Sequence, residues 1–297
     1  MQSKEVVIVG AGPAGMSAAI QLMRSGIEPL LLEKREAGGL LLNANLVENY
    51  PGFPEGISGH DLVGLFKEHL QKTGVAINFE EVLELDYTEG FFFIKTKRDL
   101  IKSEISVIAT GTYPKKIADL TLPDEVKERL FYEVYPIRRV KDKKIAIIGA
   151  GDAAFDYALT LSSENEVTVL NRSDTTRCLP ILFDRSLRSK NISHLTNVGV
   201  RKIQKDTSGL KITAAHLFDG EEYIIDVDYV IVAIGREPCI NFLGRGLKRN
   251  SNRLKKNHRL FMVGDVINGT HRQAVISVGD GVRAAMEIYE TIRKEHR

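Results

Sequence analysis

The residues Val6-Val7-Ile8-Val9-Gly10-Ala11-Gly12-Pro13-Ala14-Gly15 join a short apolar run to a glycine-rich turn. A continuous apolar run of this length predicts a central parallel strand that is buried on both faces, and Pro13 favours the start of a helix. A second predicted strand, 29–33, ends in Glu33, 18 residues after Gly15. That spacing is close to the one at which an acid binds a ribose hydroxyl in dinucleotide sites. The stretch therefore predicts a βαβ unit that binds a dinucleotide.

The same pattern recurs in the second half of the chain. The apolar run Lys144-Ile145-Ala146-Ile147-Ile148 precedes a second turn, Gly149-Ala150-Gly151-Asp152-Ala153-Ala154, a predicted helix from about Ala153 to Leu161 and a predicted strand from Glu166 to Leu170. Ala154 replaces the third glycine, and alanine still permits close packing of the helix. The chain therefore holds two related units of the α/β class.

Short strands are predicted between and after these units. The runs Phe91 to Thr96 and Ile105 to Ala109 indicate a small antiparallel layer, and a matching pair runs from Leu210 to Phe218 and from Tyr223 to Ile225. Two similar tripeptides, Ala109-Thr110-Gly111 and Ala233-Ile234-Gly235, end the two strand systems. We interpret them as the two crossings between domains. A strand at 260–263 and a closing helix at 273–294 then return the chain to the first domain.

Composition narrows the classes of function. The chain has 43% hydrophobic residues, 41 basic against 39 acidic residues and a formal charge of +2. A charge this close to zero disfavours nucleic-acid binding, and no apolar run is long enough to span a bilayer. The first turn begins nine residues after the start, so we expect no signal peptide and a cytoplasmic protein. The two cysteines, Cys178 and Cys239, lie 61 residues apart, which disfavours a disulfide framework and a metal site.

Seven short motifs occur in order along the chain: Gly10–Gly15, Val47–Phe53, Ala109–Gly111, Gly149–Ala154, Ala233–Gly235, Val263–Val266 and Arg272–Ala274. In this order they make the chain resemble the low-molecular-weight thioredoxin reductases over nearly all of its 297 residues. The resemblance implies two Rossmann-like domains of three layers (ββα), the second inserted in the first. It implies an FAD-binding domain, 1–112 and 238–297, an NAD(P)H-binding domain, 113–237, and a homodimer.

The first glycine turn suits either FAD or NAD, because glycines and a helix N-terminus accommodate a pyrophosphate in both. The resemblance favours FAD, with Asn49 facing the flavin, Asp265 accepting from the ribityl chain, and the backbone at Gln273 donating to the flavin. Taken alone, Asp265 would be a turn residue after Gly264. The predicted FAD-binding residues are Gly10, Gly12, Pro13, Ala14, Gly15, Glu33, Lys34, Gly39, Asn49, Val82, Ala109, Thr110, Gly111, Gly264, Asp265, Arg272, Gln273 and Ala274.

The second turn is predicted to bind NADPH, with NADH as the alternative. The predicted strand that follows this turn and its helix ends in Leu170-Asn171-Arg172-Ser173, without a carboxylate at the position that would repel a 2′-phosphate. Arg172 and Arg177 could hold that phosphate, although a solvated strand end would look the same. Thioredoxin reductases carry a denser basic pattern here. The predicted NADPH-binding residues are Gly149, Gly151, Asp152, Ala153, Arg172, Arg177, Ile234 and Gly235.

The redox Cys-x-x-Cys of thioredoxin reductases falls on Tyr132-Glu133-Val134-Tyr135 in this chain. A phenol cannot form or attack a disulfide, so electrons on the flavin would have no internal dithiol to reduce. Tyr132 or Tyr135 would either stack on the flavin or pack between the domains. His271 is a third candidate beside the flavin, or a structural histidine. No residue is predicted with certainty to be catalytic, because hydride transfer needs no general acid.

The resemblance leaves the electron acceptor open. Ferredoxin or flavodoxin NADP reductases and bacillithiol-disulfide reductases of this type lack the dithiol. The former usually extend beyond the closing helix, whereas this sequence ends at Arg297. The stretch 245–260 holds seven basic residues and no acid, which would attract an acidic ferredoxin or flavodoxin or would simply be a solvated basic hairpin. We therefore predict an FAD-dependent NAD(P)H oxidoreductase with an external acceptor. A low-molecular-weight disulfide or a quinone is the alternative acceptor, and a non-catalytic redox sensor is the alternative function.

Overall fold

The computed structural model describes residues 2–117, 120 and 122–295. The chain forms two compact units. The first unit comprises Met1–Leu42, Leu46–Tyr113 and Glu237–Arg297, and the second comprises Asn43–Asn45 and Pro114–Arg236. The predicted domain ends at residues 1 and 297 lie outside the described residues. The division by sequence did not anticipate that Asn43–Asn45 would group with the second unit.

The N-terminal part of the first unit holds seven strands and two α-helices within its described residues. In chain order they are β1 (Gln2–Val9), α1 (Pro13–Arg24), β2 (Leu30–Glu33), α2 (Gly59–Lys72), β3 (Ile77–Phe79), β4 (Val82–Thr88), β5 (Phe91–Thr96), β6 (Leu100–Ile108) and β7 (Thr112–Pro114). The sheet order is β3-β2-β1-β6-β5-β4, with β4, β5 and β6 antiparallel to one another in turn and the other pairs parallel.

The register of this sheet brings the residues that follow its parallel strands together at one edge. Val9 pairs with Leu32 on one side and with Ile108 on the other, both in parallel. Parallel strands have their carboxyl ends at the same edge, so the residues that follow each strand are neighbours. The last four residues of β1 are buried, as expected for a strand covered on both faces.

The second unit repeats this plan. Its elements are β8 (Leu130–Phe131), β9 (Lys144–Ile148), α3 (Asp152–Leu161), β10 (Glu166–Leu170), α4 (Pro180–Arg188), β11 (Ile192–Leu195), β12 (Val198–Lys205), β13 (Leu210–His216), β14 (Glu222–Val227) and β15 (Tyr229–Val232). Five parallel strands lie in the order β11-β10-β9-β15-β8, and β12, β13 and β14 form an antiparallel sheet. The prediction of two Rossmann-like units with a ββα plan is confirmed.

The chain then returns to the first unit through β16 (Arg236–Pro238), α5 (Arg245–Lys256), β17 (Leu260–Met262) and α6 (Ala274–Glu295). Strand β16 pairs with β7, and β17 pairs in parallel with β6, which places Met262 beside Ile108. The expectation of a basic hairpin at 245–260 is wrong, because most of this stretch is helix α5. Leu247 and Leu254 lie two turns apart and are both buried, which is the spacing of one helical face.

Helices α1 and α6 pack very closely. A Cβ atom on Gly281 would overlap the carbonyl oxygen of Ala14, and the Ser17 hydroxyl donates to the carbonyl of Val278 at 3.1 Å. This close approach holds the start of α1 and the start of α6 in one rigid layer against the sheet. Among the helices in the described part of the chain, none has both the length and the apolar character required to cross a bilayer.

Candidate cofactor sites

Backbone atoms pack tightly against Gly10 and Gly15 of the first glycine turn, whereas the space beside Gly12 is open. Gly10 has a φ of +107°, and a Cβ atom there would overlap the carbonyl oxygen of Ala109. A Cβ atom on Gly15 would likewise overlap the carbonyl oxygen of Gly10. Gly12, by contrast, has no atom within 4 Å of the place its Cβ would take. The turn therefore offers open space directly in front of backbone N–H groups, which fits a pyrophosphate.

The electrostatics at the start of α1 favour an anion. Gly12 is the capping residue and has no side chain to accept the first free N–H groups of the helix, and the first turn contains no acidic residue. The positive end of the helix dipole adds to this preference. The next loop approaches from the side, with the Gly38 N–H donating to the Ala11 carbonyl at 2.8 Å and Gly39 lying against Gly12.

Glu33 ends β2 and is held against the glycine turn. Its Oε2 accepts the N–H of Ala11 at 2.8 Å, and its Oε1 accepts the N–H of Arg35 at 3.1 Å. The carboxylate therefore has a fixed position beside the turn, where a ribose hydroxyl of a bound dinucleotide could donate to it. Lys34 follows directly at the strand end. Val82 begins β4, is half-buried and packs against the core that lies on the β4 side of the sheet.

Gly264 and Asp265 form a short 3₁₀ turn, Gly264–Val266, after β17. The Ser277 hydroxyl donates to Asp265 Oδ1 at 3.2 Å. Asp280, one turn further along α6, accepts the N–H of Gly264 at 3.2 Å and the side-chain amide of Asn268 at 2.7 Å through Oδ2. Sequence reasoning missed both Ser277 and Asp280. The three-residue spacing that puts them on one face of the closing helix was the available indication.

Several of the remaining candidates of the first unit follow β6 or immediately precede α6. Asn49 donates its side-chain amide to Gln273 Oε1 at 2.9 Å, directly before α6 begins at Ala274. The Thr110 hydroxyl donates to the Cys239 carbonyl at 2.7 Å, and Gly111 has a φ of +61°. His271 is exposed and donates its backbone N–H to the carbonyl of Asn268 at 2.9 Å. Arg272 is half-buried.

The second glycine turn has the same geometry as the first. Gly149 has a φ of +129°, and a Cβ atom there would overlap the carbonyl oxygen of Ala233, the counterpart of Ala109. Gly151 caps α3 and, like Gly12, faces open space. Asp152 begins the helix, and its Oδ1 accepts the N–H of Leu179 at 2.7 Å. This turn also fits a pyrophosphate, with Ala153, Ile234 and Gly235 beside it.

A compact loop follows β10 next to the second turn. Asn171 donates to the Thr175 carbonyl at 2.9 Å and accepts the N–H of Ser173 at 3.1 Å. Arg177 is tied to the turn because its N–H donates to the Ala150 carbonyl at 3.0 Å. Arg172 and Arg177 both expose their side chains. The loop also contains a carboxylate, Asp174, which accepts from the Ser173 hydroxyl at 3.3 Å and which the sequence argument did not weigh.

The segment Tyr132–Tyr135 is held firmly within the second unit. Val134 is buried, the Tyr135 N–H donates to Asn43 Oδ1 at 3.0 Å, and the guanidinium of Arg138 lies 3.5 Å from the centre of the Tyr135 ring. Glu133 forms an ion pair with Arg236 at 3.1 Å. Tyr132 packs against the core of the second unit around β13. Whether either ring meets a flavin stays a prediction.

The two cysteines lie in different units and are free thiols. Cys178 is half-buried against the core around α3, and burial raises the pKa of its thiol. A raised pKa lowers the fraction of reactive thiolate. Near this core, Asn45 donates its N–H to Asp156 Oδ2 at 3.0 Å, and burial raises the pKa of Asp156 to about 6.

The chain is similar to known proteins over nearly its whole length. A family model described as pyridine nucleotide-disulphide oxidoreductase matches residues 4–281. The thioredoxin reductase of Chlamydia trachomatis serovar D is 30% identical over 310 residues, covering 97% of this chain and 98% of that protein. The solved thioredoxin reductase of Lactococcus lactis has a TM-score of 0.87 at 28% identity, covering 98% of this chain and 99% of that one. The bacillithiol disulfide reductase Bdr of Staphylococcus aureus, with a TM-score of 0.76 at 24% identity over 100% of both chains, shares the fold.

Proposed function

This chain belongs to the pyridine nucleotide-disulphide oxidoreductase family, and from that membership we propose an FAD-dependent NADPH oxidoreductase whose electrons pass from FAD directly to an external acceptor. Thioredoxin reductase-like members of this family use FAD and NADPH, as the sequence predicted.

The first unit supplies the residues that would hold FAD. Backbone N–H groups beside Gly12 would bind the pyrophosphate, Glu33 would accept from the ribose, and Asp265, oriented by Ser277, would accept from the ribityl hydroxyls. The start of α6 at Ala274 would direct its positive dipole end at the flavin and stabilise negative charge there. Bound at this site, FAD would supply the two-electron redox chemistry that links a nicotinamide donor to the acceptor.

The second unit supplies the residues that would hold NADPH. Gly151 leaves room for the pyrophosphate at the start of α3, and Arg177 is fixed against the same turn by its own backbone. The exposed guanidinium groups of Arg172 and Arg177 would bind a 2′-phosphate, since arginine pairs with phosphate in a bidentate manner. Asp174 would have to point away from that phosphate for NADPH to be preferred over NADH.

One observation carries the proposal of an external acceptor: the 297 residues contain two cysteines, 61 apart. They cannot form the Cys-x-x-Cys that thioredoxin reductases oxidise and reduce, and they lie in different units. Tyrosines stand at the matching positions, 132 and 135, and a phenol does not exchange with disulfides. Each NADPH oxidised to NADP⁺ yields two electrons, which the acceptor must then receive, and one proton.

Two classes of acceptor have support. A small acidic electron carrier such as ferredoxin or flavodoxin is favoured by the stretch 245–260, which holds seven basic residues and no acidic one. A disulfide substrate is favoured by the similarity of this chain to thioredoxin reductases. In the second case the disulfide would have to react with the reduced flavin itself. The resemblance also leads us to expect a homodimer, which sedimentation would test.

Anaerobic mixing tests the proposal. The FAD-loaded protein is mixed with NADPH and, separately, with NADH while the visible absorbance of the oxidised flavin is followed. Rapid bleaching by NADPH is the expected result, followed by reoxidation when a carrier or a disulfide is added. If neither NADPH nor NADH bleached the flavin, the proposal of an NAD(P)H oxidoreductase would be refuted. Rapid bleaching with negligible turnover on every acceptor would instead support the redox sensor.

A further inference from the structure

Helix α5 presents a face that consists almost wholly of basic side chains. Leu247 and Leu254 are buried against the sheet of the first unit. At 100° per residue, the opposite side of the helix carries the exposed residues Arg245, Lys248, Arg249, Arg253, Lys255 and Lys256. The helix contains no Asp or Glu. We refer to these six residues as the basic face.

The basic face has no neutralising partner within the part of the chain that the structure describes. Its six residues form no ion pair there, although Arg259, just beyond the helix, pairs with Glu104 at 3.7 Å and also with Glu295. The nearest carboxylate at the start of the helix, Asp86, accepts the backbone N–H of Leu247 at 2.6 Å and that of Tyr87 at 2.8 Å. Asp86 therefore anchors the start of the helix through its backbone and forms no ion pair with the basic face among the described residues.

Part of this arrangement works against the stability of the helix. Like charges three and four residues apart repel each other, and Arg245 in the first turn opposes the helix dipole, although the three cations of the last turn favour it. Elsewhere the chain has the opposite balance: seven of its 41 basic residues and none of its 39 acidic residues lie within 245–260, so acidic residues outnumber basic ones outside it. The positive charge is thus concentrated at one surface, which is typical of a surface that attracts an acidic partner.

We propose that the basic face of α5 is the docking surface for an acidic one-electron carrier protein, the external acceptor; this inference rests on the proposed function. The face has no exposed aromatic or large apolar side chain that could stack on bases or insert into a bilayer, which disfavours nucleic acid and membrane. The helix is part of the first unit, and the strand that follows it leads directly to Gly264 and Asp265. Two carrier molecules would each gain one electron for each NADPH oxidised, with release of one proton.

The test compares two variants of equal charge change. The first replaces three residues of the basic face, Lys248→Gln, Arg249→Gln and Arg253→Gln. The control replaces three exposed basic residues elsewhere in the first unit, Arg24→Gln, Lys95→Gln and Arg98→Gln. Both are assayed as FAD-loaded protein with NADPH, using an acidic [2Fe–2S] ferredoxin and an acidic flavodoxin as carriers and neutral menadione as a small acceptor.

We expect the basic-face variant to lose about tenfold or more in kcat/KM for the carrier and most of its salt dependence, while the control stays within about twofold of the unaltered protein. Menadione reduction should be the same in all three. Equal carrier reduction by both variants would overturn the docking surface, as would menadione reduction without reduction of either carrier. Failure of NADPH to bleach the flavin would instead refute the proposed function. Tighter binding of a labelled poly-uridine RNA to the unaltered protein than to the basic-face variant alone would overturn the choice of a protein partner.

Discussion

The backbone N–H of Asn45 donates to Asp156 Oδ2 at 3.0 Å, joining a three-residue segment from early in the chain to helix α3. Asp156 is nevertheless destabilised as an anion, because burial raises its pKa to about 6 and the charge of Asp152 acts in the same direction. The native protein therefore retains a proton that an unfolded chain releases near pH 4.

The raised pKa of Asp156 leads to a prediction about how stability depends on pH. Because the folded protein binds the extra proton, its stability should fall as pH rises from about 4 to about 6, by roughly 3 kcal/mol from this group alone. Asp156→Asn cannot titrate and should lack this decrease. Urea unfolding of both proteins at several pH values from about 4 to 7.5 measures how the free energy of unfolding of each depends on pH. Parallel stability curves for the two proteins would contradict the assigned burial.

The glycines of the first turn should separate folding from cofactor binding. Gly12→Ala places a methyl group in open space at an ordinary φ of −77°, so the protein should fold with its melting temperature nearly unchanged. The methyl group would occupy the space for the pyrophosphate, and FAD affinity should fall by about tenfold or more. Gly15→Ala, whose Cβ would overlap the Gly10 carbonyl, should fail to fold stably. Flavin content and thermal melts distinguish the two, and normal FAD binding by Gly12→Ala would count against this site.

Asp280 should act as a positioning residue for the Gly264 turn. Asp280→Ala removes the acceptor for the Gly264 N–H and the Asn268 amide, so Asp265 should be held less firmly and FAD should dissociate about tenfold more readily. The fluorescence of released flavin on dilution measures this change. Glu290→Ala, an exposed substitution on the same helix, is the control and should behave like the unaltered protein. Equal FAD retention in both variants would argue against the role of Asp280.

The two arginines beside the second turn should determine the choice of nucleotide. Arg172→Ala and Arg177→Ala should each lower kcat/KM for NADPH by about tenfold, since each removes a charged partner of the 2′-phosphate, and should leave NADH little changed. Arg188→Ala, an exposed arginine on α4, is the matched control. Steady-state rates with both nucleotides provide the measurement. A parallel loss with NADPH and NADH would show that the arginines support the loop and do not select the phosphate.

Neither cysteine should be required for electron transfer. Cys178→Ser together with Cys239→Ser should leave NADPH-dependent acceptor reduction within about twofold of the unaltered protein, because the Cys178 thiol has a raised pKa and the two free cysteines lie in different units. Activity before and after treatment with a thiol-alkylating reagent provides an independent measurement. A loss of turnover in the double variant, with FAD still bound, would require a thiol in the reaction.

The order of the elements, and the pairing of each glycine turn with a strand and a helix, were predictable from the sequence. The runs at Val6–Val9 and Lys144–Ile148, the turns that follow them and the start of α1 at Pro13 are local patterns, and each is specified by residues adjacent in the chain. The family resemblance and the cofactors followed from motifs of the same kind. The absence of a Cys-x-x-Cys is likewise a property of the 297 residues alone.

The tertiary structure decided which distant residues support these local motifs. Ser277 and Asp280 reach the turn at Gly264 and Asp265 because α6 packs back across the sheet, and Asn45 meets Asp156 across 111 positions of sequence. The stretch 245–256 became a helix because Leu247 and Leu254 bury one face against the sheet, although its charges alone indicated only exposure. Local patterns specify strands, helices and turns, whereas long-range hydrogen bonds and burial depend on how the completed elements pack, and no short stretch of sequence contains that information.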